Sequence, residues 1–415
     1  MYFSDIVFWA VYFFSLYVSV FLLITFFEKR PPPKRLDTIP SVSVIVPAYN
    51  EEESIGKTLE SLMNLDYPKD LLEIIVVNDG SKDKTQNIAE GFMQKEHHFK
   101  LLLINQKNLG KGAALNEGIK RAKGDFVACL DADSMVRSDT LKEMMRYFYE
   151  GDIAAVSPLM KVYQPKTILQ RLQALEYLLY GFLKCIFSSM NSIHVTSGPF
   201  SIYRKSAIQK IGGFDEKTIV EDQEICYRIQ RNHYKILQST TGEVLTIAPK
   251  NLSELYNQRC RWFKGSVITI YQYRDMLLNK KYGDFGIFQL PTLVMGLILP
   301  FITVTLFFKY FISPIITKIS NLFLLNFNIY IPRYTAVELK SLLLMYDYTK
   351  IFIIILIFAI GIYWMLKGFK NGSEKLSAYQ IIPLLLYFVV YYIILSFIWV
   401  GSMFELLVLK RVKRW

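Results

Sequence analysis

Long runs without a charged side chain set the terms for this chain. Residues 6–27, 286–308 and 376–404 hold no Asp, Glu, Lys or Arg at all, and about 20 apolar residues suffice to cross a bilayer. Between the first run and the last third, residues 40 to about 280 are polar, charged and regularly punctuated. The 52% hydrophobic content and mean hydropathy of +0.25 therefore belong mostly to the two ends. Disorder is excluded by the same numbers, since disordered chains are poor in apolar and aromatic residues.

The first run has no basic leader and no small-residue cleavage site, so it reads as an anchor rather than a secretory signal peptide. Lys29, Arg30, Lys34 and Arg35 come after it against Glu28 alone, which assigns that end to the cytoplasm and the N-terminus to the outside. Pro31, Pro32 and Pro33 make a stiff extended spacer. Later segments at 286–308, 311–331, 351–366 and 376–404 bring the expected crossings to five, with the 367–375 loop outside. Lys410, Arg411, Lys413 and Arg414 favour a cytoplasmic C-terminus, an odd count satisfies both ends, and the plasma membrane is the expected location. Pro383 predicts a kink in the last segment.

The net charge of +12 fits cytoplasmic loops better than nucleic acid, because no nucleic-acid recognition motif accompanies it. Cys129, Cys185, Cys226 and Cys260 form no CxxC pair and no disulfide framework. His97, His98, His194 and His233 lack zinc-site spacing with them, so a metal would sit on carboxylates.

Within the polar region, apolar runs at 42–47, 73–78, 100–105 and 125–130 alternate with helical patterns at 54–65, 83–96, 111–123 and 138–149. That alternation predicts a doubly wound, mostly parallel α/β sheet. Ligands of such sheets bind beyond the carboxyl ends of the strands. There stand Tyr49-Asn50-Glu51, Asp79-Gly80-Ser81, Gly110-Lys111-Gly112 and Asp131-Ala132-Asp133. Three acidic loops and a Gly-flanked lysine suit a metal and phosphates. GxGxxG and GxxxxGK[ST] are absent, against a dinucleotide dehydrogenase or P-loop NTPase. An EF-hand is excluded because the Gly and Glu of its loop are missing after Asp131. Taken singly, Asp131-Ala132-Asp133 also reads as an Asx turn and Glu221-Asp222 as a helix cap. Lys111 also reads as an exposed helix-start lysine, and Trp262 as part of an aromatic belt.

Six motifs in order change that reading: VPAYNE (46–51), VNDGS (77–81), LDADS (130–134), SGPFSIYR (197–204), VED (220–222) and QRCRW (258–262). Together they resemble the family 2 glycosyltransferases of GT-A fold. Within that family they resemble the membrane-embedded processive synthases of hyaluronan, cellulose, chitin oligosaccharide and poly-N-acetylglucosamine. The resemblance covers residues 42–262 and implies a role for each matched position. Pro47, Tyr49, Glu51 and Asp79 would line a uridine pocket, with Lys111 approaching the nucleotide. Asp131 and Asp133 would hold Mg²⁺ or Mn²⁺ against the diphosphate. Asp222 would be the general base, although Val220 stands where the family has Thr or Ser. Gln258, Arg261 and Trp262 would form the polymer-forming signature, and residues 197–199 would approach the acceptor terminus.

The expected protein is thus an inverting, metal-dependent transferase. It takes a UDP-sugar donor, with UDP-N-acetylglucosamine favoured by SGPFSIYR, extends a β-linked polysaccharide acceptor and exports it through its own membrane helices. The expected divisions are an anchor at 1–35, a catalytic unit at 36–250 with an interfacial amphipathic helix at 167–187, an interfacial segment at 251–285, and membrane helices at 286–415. Oligomeric state and a small membrane accessory subunit stay open. The rivals are a non-processive transferase acting on a lipid and a transporter that merely senses nucleotide.

Overall fold

The computed structural model describes residues 3–27, 34, 38–94, 100–324 and 347–411. The proline run at 31–33, the other basic residues near it except Lys34, His97, His98, residues 325–331, Lys413 and Arg414 lie outside them. Helix α1 (Phe3–Phe26) is followed by β1 (Val42–Ala48), α2 (Ile55–Met63), β2 (Leu72–Asp79), α3 (Thr85–Met93), β3 (Lys100–Gln106), α4 (Lys111–Arg121) and β4 (Phe126–Cys129). Then come β5 (Ser134–Val136), α5 (Thr140–Met145), β6 (Ile153–Val162), α6 (Ile168–Ser189), β7 (Ser201–Arg204), α7 (Lys205–Lys210), α8 (Glu221–Arg231), β8 (Lys235–Thr246) and α9 (Leu252–Gln272). Three long apolar helices close the described chain: α10 (Phe285–Leu324), α11 (Tyr348–Asn371) and α12 (Ile381–Leu407).

The eight described strands form one sheet in the order β3-β2-β1-β4-β7-β6-β8-β5. The first four are parallel, as β-rich runs joined by single helices require. Beyond β4 the sheet is mixed: β7 is antiparallel to β4 and β6, and β5 to β8. Side chains alternate faces along each strand. Val42, Val44 and Val46 enter the core under α2 and α5, while Ile45 enters the opposite core with Ala114, Ile225 and Phe182. Strand order reverses between β1 and β4, so their carboxyl ends flank the crevice where such sheets bind ligands.

Helix α6 starts cleanly because Thr167 and Gln170 make a reciprocal capping box. Its apolar stripe packs on the sheet with one side and on membrane helices with the other. Helices α1 and α11 run side by side in the same direction. Asp5 pairs with Lys350 at one end (2.7 Å), and Phe26 meets Trp364 near the other (5.7 Å).

Two membrane expectations need correction. Residues 286–308 and 311–324 read as parts of separate crossings in the sequence, but they form the single helix α10. The turn widens to π geometry at Phe308–Ile312, just before Pro314. A proline at the start of the next turn has no N–H to leave unpaired. At 40 residues α10 is roughly 60 Å long at 1.5 Å per residue. The 367–375 loop was expected outside, yet Glu374 lies 3.4 Å from Lys161 at the end of β6. It therefore sits on the catalytic domain's side. Helix α12 touches that side at both ends: Tyr379, just before it, lies under Arg171 of α6, and Glu405 binds Tyr256 and Lys264 of α9.

Candidate active site

The crevice between β1 and β4 is built largely from backbone turns. Asn50 takes a left-handed conformation (φ 54°) at the end of β1. Its side chain accepts from Lys82 N–H while its own N–H donates to Ser81. Asp79, fully buried at the end of β2, accepts from the N–H groups of Leu109 and Gly110 (both 2.9 Å) and from Gln106 Nε2 (2.7 Å). Its carboxylate thus fixes the loop that delivers Lys111 to the start of α4. Thr58 of α2 donates to Ala132 O (2.8 Å), holding the Asp131-Ala132-Asp133 turn after β4. Pro47 is buried within β1, and Tyr49 is half-buried just beyond it.

Lys111 lies at the centre. Its ammonium reaches Asp131 (2.7 Å) and Glu221 (2.6 Å). Burial alone would lower its pKa, but Asp131, Glu221 and Asp222 outweigh burial and hold it charged, above the ordinary lysine value. Glu221 is kept below the usual carboxylate range because Lys111 overcomes its desolvation. Asp222, the next residue, has no cation within ion-pair distance among the described residues. Burial, then the charge of Glu221, pushes it up to about 6.

The 196–201 loop closes the site from above. A Cβ placed on Gly198 would sit 3.0 Å from Asp131 Oδ2, 3.4 Å from Asp222 Oδ2 and 3.7 Å from Lys111 Nζ. A side chain here would crowd Asp131 and force it to give by a few tenths of an ångström. Ser197 N–H donates to Ser157 Oγ (2.9 Å), and Thr196 Oγ1 donates to Asp222 O (3.2 Å). Beneath Ser197 stands Lys184 of α6, which donates to Ser197 Oγ (3.1 Å) and is pushed down to about 8 by burial.

The donors of the acidic turn fit a divalent cation. Burial, then the charge of Asp131, raises Asp133, and burial chiefly lifts Glu51 to about 7, with Asp133 and Asp131 adding to the rise. Asp133 and Glu51 are hard oxygen donors with no ion-pair partner among the described residues, beside an Asp131 that Lys111 already meets, and hard oxygen donors suit Mg²⁺ or Mn²⁺. Among the described residues no three His, Cys, Asp or Glu side chains converge on one point. A cation held by Asp131 and Asp133 would therefore complete its shell with phosphate oxygens and water.

Helix α9 brings the last predicted group. Gln258 is half-buried, and its buried Oε1 has no hydrogen-bond partner among the described residues. The charge of Arg261 is felt by Glu221 and Asp222, although no carboxylate lies within ion-pair distance of it among the described residues. Trp262 packs beside Val162, Tyr177 and Ala248. Val220 meets α9 directly: a Cβ on Gly265 would overlap both of its methyl groups. An apolar contact thus occupies the position where Thr or Ser was expected.

Sequence reasoning missed the node that holds this helix. Arg259 donates to Glu176 of α6 (2.6 Å), Tyr391 of α12 donates to the same carboxylate (2.8 Å), and Arg259 lies 4.2 Å over the Trp262 ring. It also missed Glu221 as a partner of Lys111, and the link from Tyr180 through His194 to Gln289 of α10. Arg259, adjacent to Gln258, was the one sequence signal, but its partner Glu176 is 83 residues upstream, and Tyr391, which shares that carboxylate, is more than a hundred downstream.

Residues 43–212 match the family described as Glycosyl transferase family 2. The chain is 33% identical over 272 residues to a poly-beta-1,6-N-acetyl-D-glucosamine synthase of Staphylococcus epidermidis, covering 63% of this chain and 65% of that protein. It spans, therefore, just under two thirds of that relative's length. The protein of the same name from Staphylococcus aureus (strain COL) is 30% identical over 298 residues, covering 70% of this chain and 71% of that one. Among solved structures, the mannosyltransferase PcManGT from Pyrobaculum calidifontis, in complex with GDP-Man and Mn²⁺, superposes with a TM-score of 0.55. That match has 23% identity and covers 64% of this chain and 74% of that one, a likeness of fold.

Proposed function

This chain belongs to glycosyl transferase family 2, and we propose that it builds a β-linked polysaccharide from a UDP-sugar, UDP-N-acetylglucosamine in our reading. The named activity of the Staphylococcus relatives supports the donor and the polymer class. The observation that carries the mechanism is the meeting of Asp131, Asp222 and Lys111 around the Gly198 backbone.

In this reading, Pro47, Tyr49, Glu51 and the loop fixed by Asp79 receive the uridine half of the donor. Lys111 would neutralise phosphate charge while keeping Asp131 and Glu221 aligned. A divalent cation held by Asp131 and Asp133 would, when bound, act as a Lewis acid on the departing diphosphate. Asp222 takes the proton of the acceptor hydroxyl as that oxygen attacks the anomeric carbon and the bond to the diphosphate breaks. One carboxylate in line gives a single displacement with inversion, so an α-linked donor yields a β-linked product. Gln258 and Trp262 are the groups of α9 that we assign to the acceptor, with Trp262 offering a face to the sugar ring. Membranes supplied with labelled UDP-N-acetylglucosamine and Mn²⁺ should form a polymer digested by β-N-acetylglucosaminidase. Organic-extractable monosaccharide-lipid as the sole product would overturn the polymerase reading in favour of transfer to a lipid.

We read α1, α10 and α11 as crossings and α12 as lying along α6 and α9, with the catalytic side cytoplasmic and the product leaving between these helices. Three crossings keep the two ends on opposite sides, as the basic flanks require. The divisions at 36–250, 251–285 and 286–415 fall along the same lines. All four native cysteines are buried, so Ser373→Cys gives a clean probe of the loop before α12. An impermeant maleimide should label it in inverted vesicles; labelling from outside intact cells would overturn this orientation.

A further inference from the structure

Next to the Trp262 cluster, with which it shares Val162 and Ala174, a cavity of about 460 Å³ opens where the catalytic domain meets the loop before α12. Ala174, Leu175 and Leu178 of α6, with Val162 and Pro383, form an apolar floor. Three cations stand on its lining: Lys161, Lys166 and Arg171. Lys161 is committed, at 2.8 Å from Glu243 and 3.4 Å from Glu374. Lys166 and Arg171 have no carboxylate within ion-pair distance among the described residues; Arg171 lies over the Tyr379 ring at 5.6 Å. Among the described residues Glu374 is the one acid on the lining. Beside the cavity, Leu376, Tyr379, Ile381 and Ile382 are 44–66% exposed.

Exposed apolar side chains leading away from a mouth with surplus positive charge call for an amphipathic, anionic occupant. A nucleotide would leave the floor and the flanking apolar residues unused, and a neutral glycan would leave the two cations unanswered. We propose that this cavity binds an anionic phospholipid of the leaflet facing the catalytic domain. Its phosphate sits between Lys166 and Arg171, its glycerol region against Leu175 and Leu178, and its acyl chains run out past Ile381 and Ile382. The proposal rests on the reading that α11 and α12 meet the bilayer on the catalytic side, and it is independent of the reaction catalysed. Bound there, the lipid would bridge α6, which carries Glu176 and Lys184, to the loop before α12.

The test is lipid retention by the purified full chain, reconstituted with phosphatidylcholine and phosphatidylglycerol in equal amounts and read by native mass spectrometry. The wild type should retain phosphatidylglycerol preferentially. The double variant Lys166→Ala/Arg171→Ala should lose that preference by roughly 10- to 30-fold, the order expected for two basic side chains at an anionic surface. Lys57→Ala/Lys120→Ala, with the same charge change elsewhere, should keep it. Glu374→Gln should strengthen retention, a gain that misfolding cannot produce. Equal retention of the two lipids, or an unaltered preference in the double variant, would overturn the proposal. So would displacement of the lipid by soluble glycerol phosphate, which would make this a site for phosphate alone. Because no turnover is measured, failure here leaves the transferase reading untouched, and loss of transferase activity would leave this one standing.

Discussion

The two halves of the catalytic crevice are held together in different ways. On the β1–β4 side, neighbouring turns bond to each other through backbone N–H groups: Asp79 grips Leu109 and Gly110, and Asn50 grips Lys82. On the α9 side, three helices meet through side chains alone, with Glu176 accepting from Arg259 and Tyr391. A turn anchored by its backbone tolerates changes in neighbouring side chains. A node of three side chains from distant helices does not, since removing one partner strands the others in a buried place. The nucleotide side is therefore expected to behave as a rigid cradle, and the acceptor side as a part that one substitution can loosen.

The largest effect should come where the halves touch. Asp222→Asn removes the base and leaves the cradle intact. Transfer should fall on the order of 10²–10⁴-fold, the usual worth of general-base catalysis, with UDP-sugar binding retained. Unaltered transfer in this variant would remove Asp222 as the base, whereas a wild type that transfers no sugar at all would favour the nucleotide-sensing transporter over the enzyme.

Next is the node itself. Arg259→Ala leaves Glu176 without its cation, and truncating one member of a buried pair costs about 3–5 kcal/mol. Glu176→Gln keeps a hydrogen-bond acceptor and should cost less. If the acceptor side is separately held, Arg259→Ala should lower chain extension more than donor hydrolysis, and Trp262 fluorescence should shift. Equal losses of both activities would erase the distinction between the halves. Asp79→Ala is the mirror experiment: donor affinity should fall first, with product length in the remaining activity little altered.

This contrast explains what could be read from the chain alone. The four parallel strands were legible because each is a continuous apolar run with a helix behind it. The acids after them were legible because topology puts strand ends in one crevice. Asp131 and Lys111 stand at those strand ends, and the resemblance to the family lent them, and Asp222 at the start of α8, their expected roles. Glu176, Tyr391 and Lys184 were not legible, since each lies in a helix whose pattern reads simply as apolar packing. The mixed edge formed by β5 to β8 was illegible for a related reason: β5 is three residues long and pairs with a strand more than a hundred positions away. Helix α10 misled through composition, because Lys309 and Pro314 look like a boundary until the wider turn absorbs them.

The pH profile tests the electrostatics of the shared centre. Asp222 is raised from an ordinary 3.8 to about 6. Its reactive, proton-free form therefore prevails above that value and is lost below it. Initial rates at saturating donor and metal should drop about tenfold per unit as the pH falls below 6, the slope for loss of one base. A limb near 4 instead would mean that Asp222 does not feel the burial and the Glu221 charge that set it.

The smallest effect belongs to the residue that departs from the family pattern. Val220 precedes the Glu221-Asp222 pair and lies 6% exposed with its methyl groups against Gly265. Val220→Thr restores the expected hydroxyl but replaces a methyl group packed against Gly265 of α9. Val and Thr are close in shape, so packing changes little, while a buried hydroxyl without a partner costs about 1–3 kcal/mol in proteins. If α8 and α9 meet here purely by apolar contact, the variant should lose about 1 kcal/mol of stability, seen as a lower melting temperature, and keep its Asp222 pH limb unchanged. A more stable variant, or one whose limb moves, would mean that the position couples to the base, and that the backbone-held cradle extends further toward α9 than the contacts of Val220 imply.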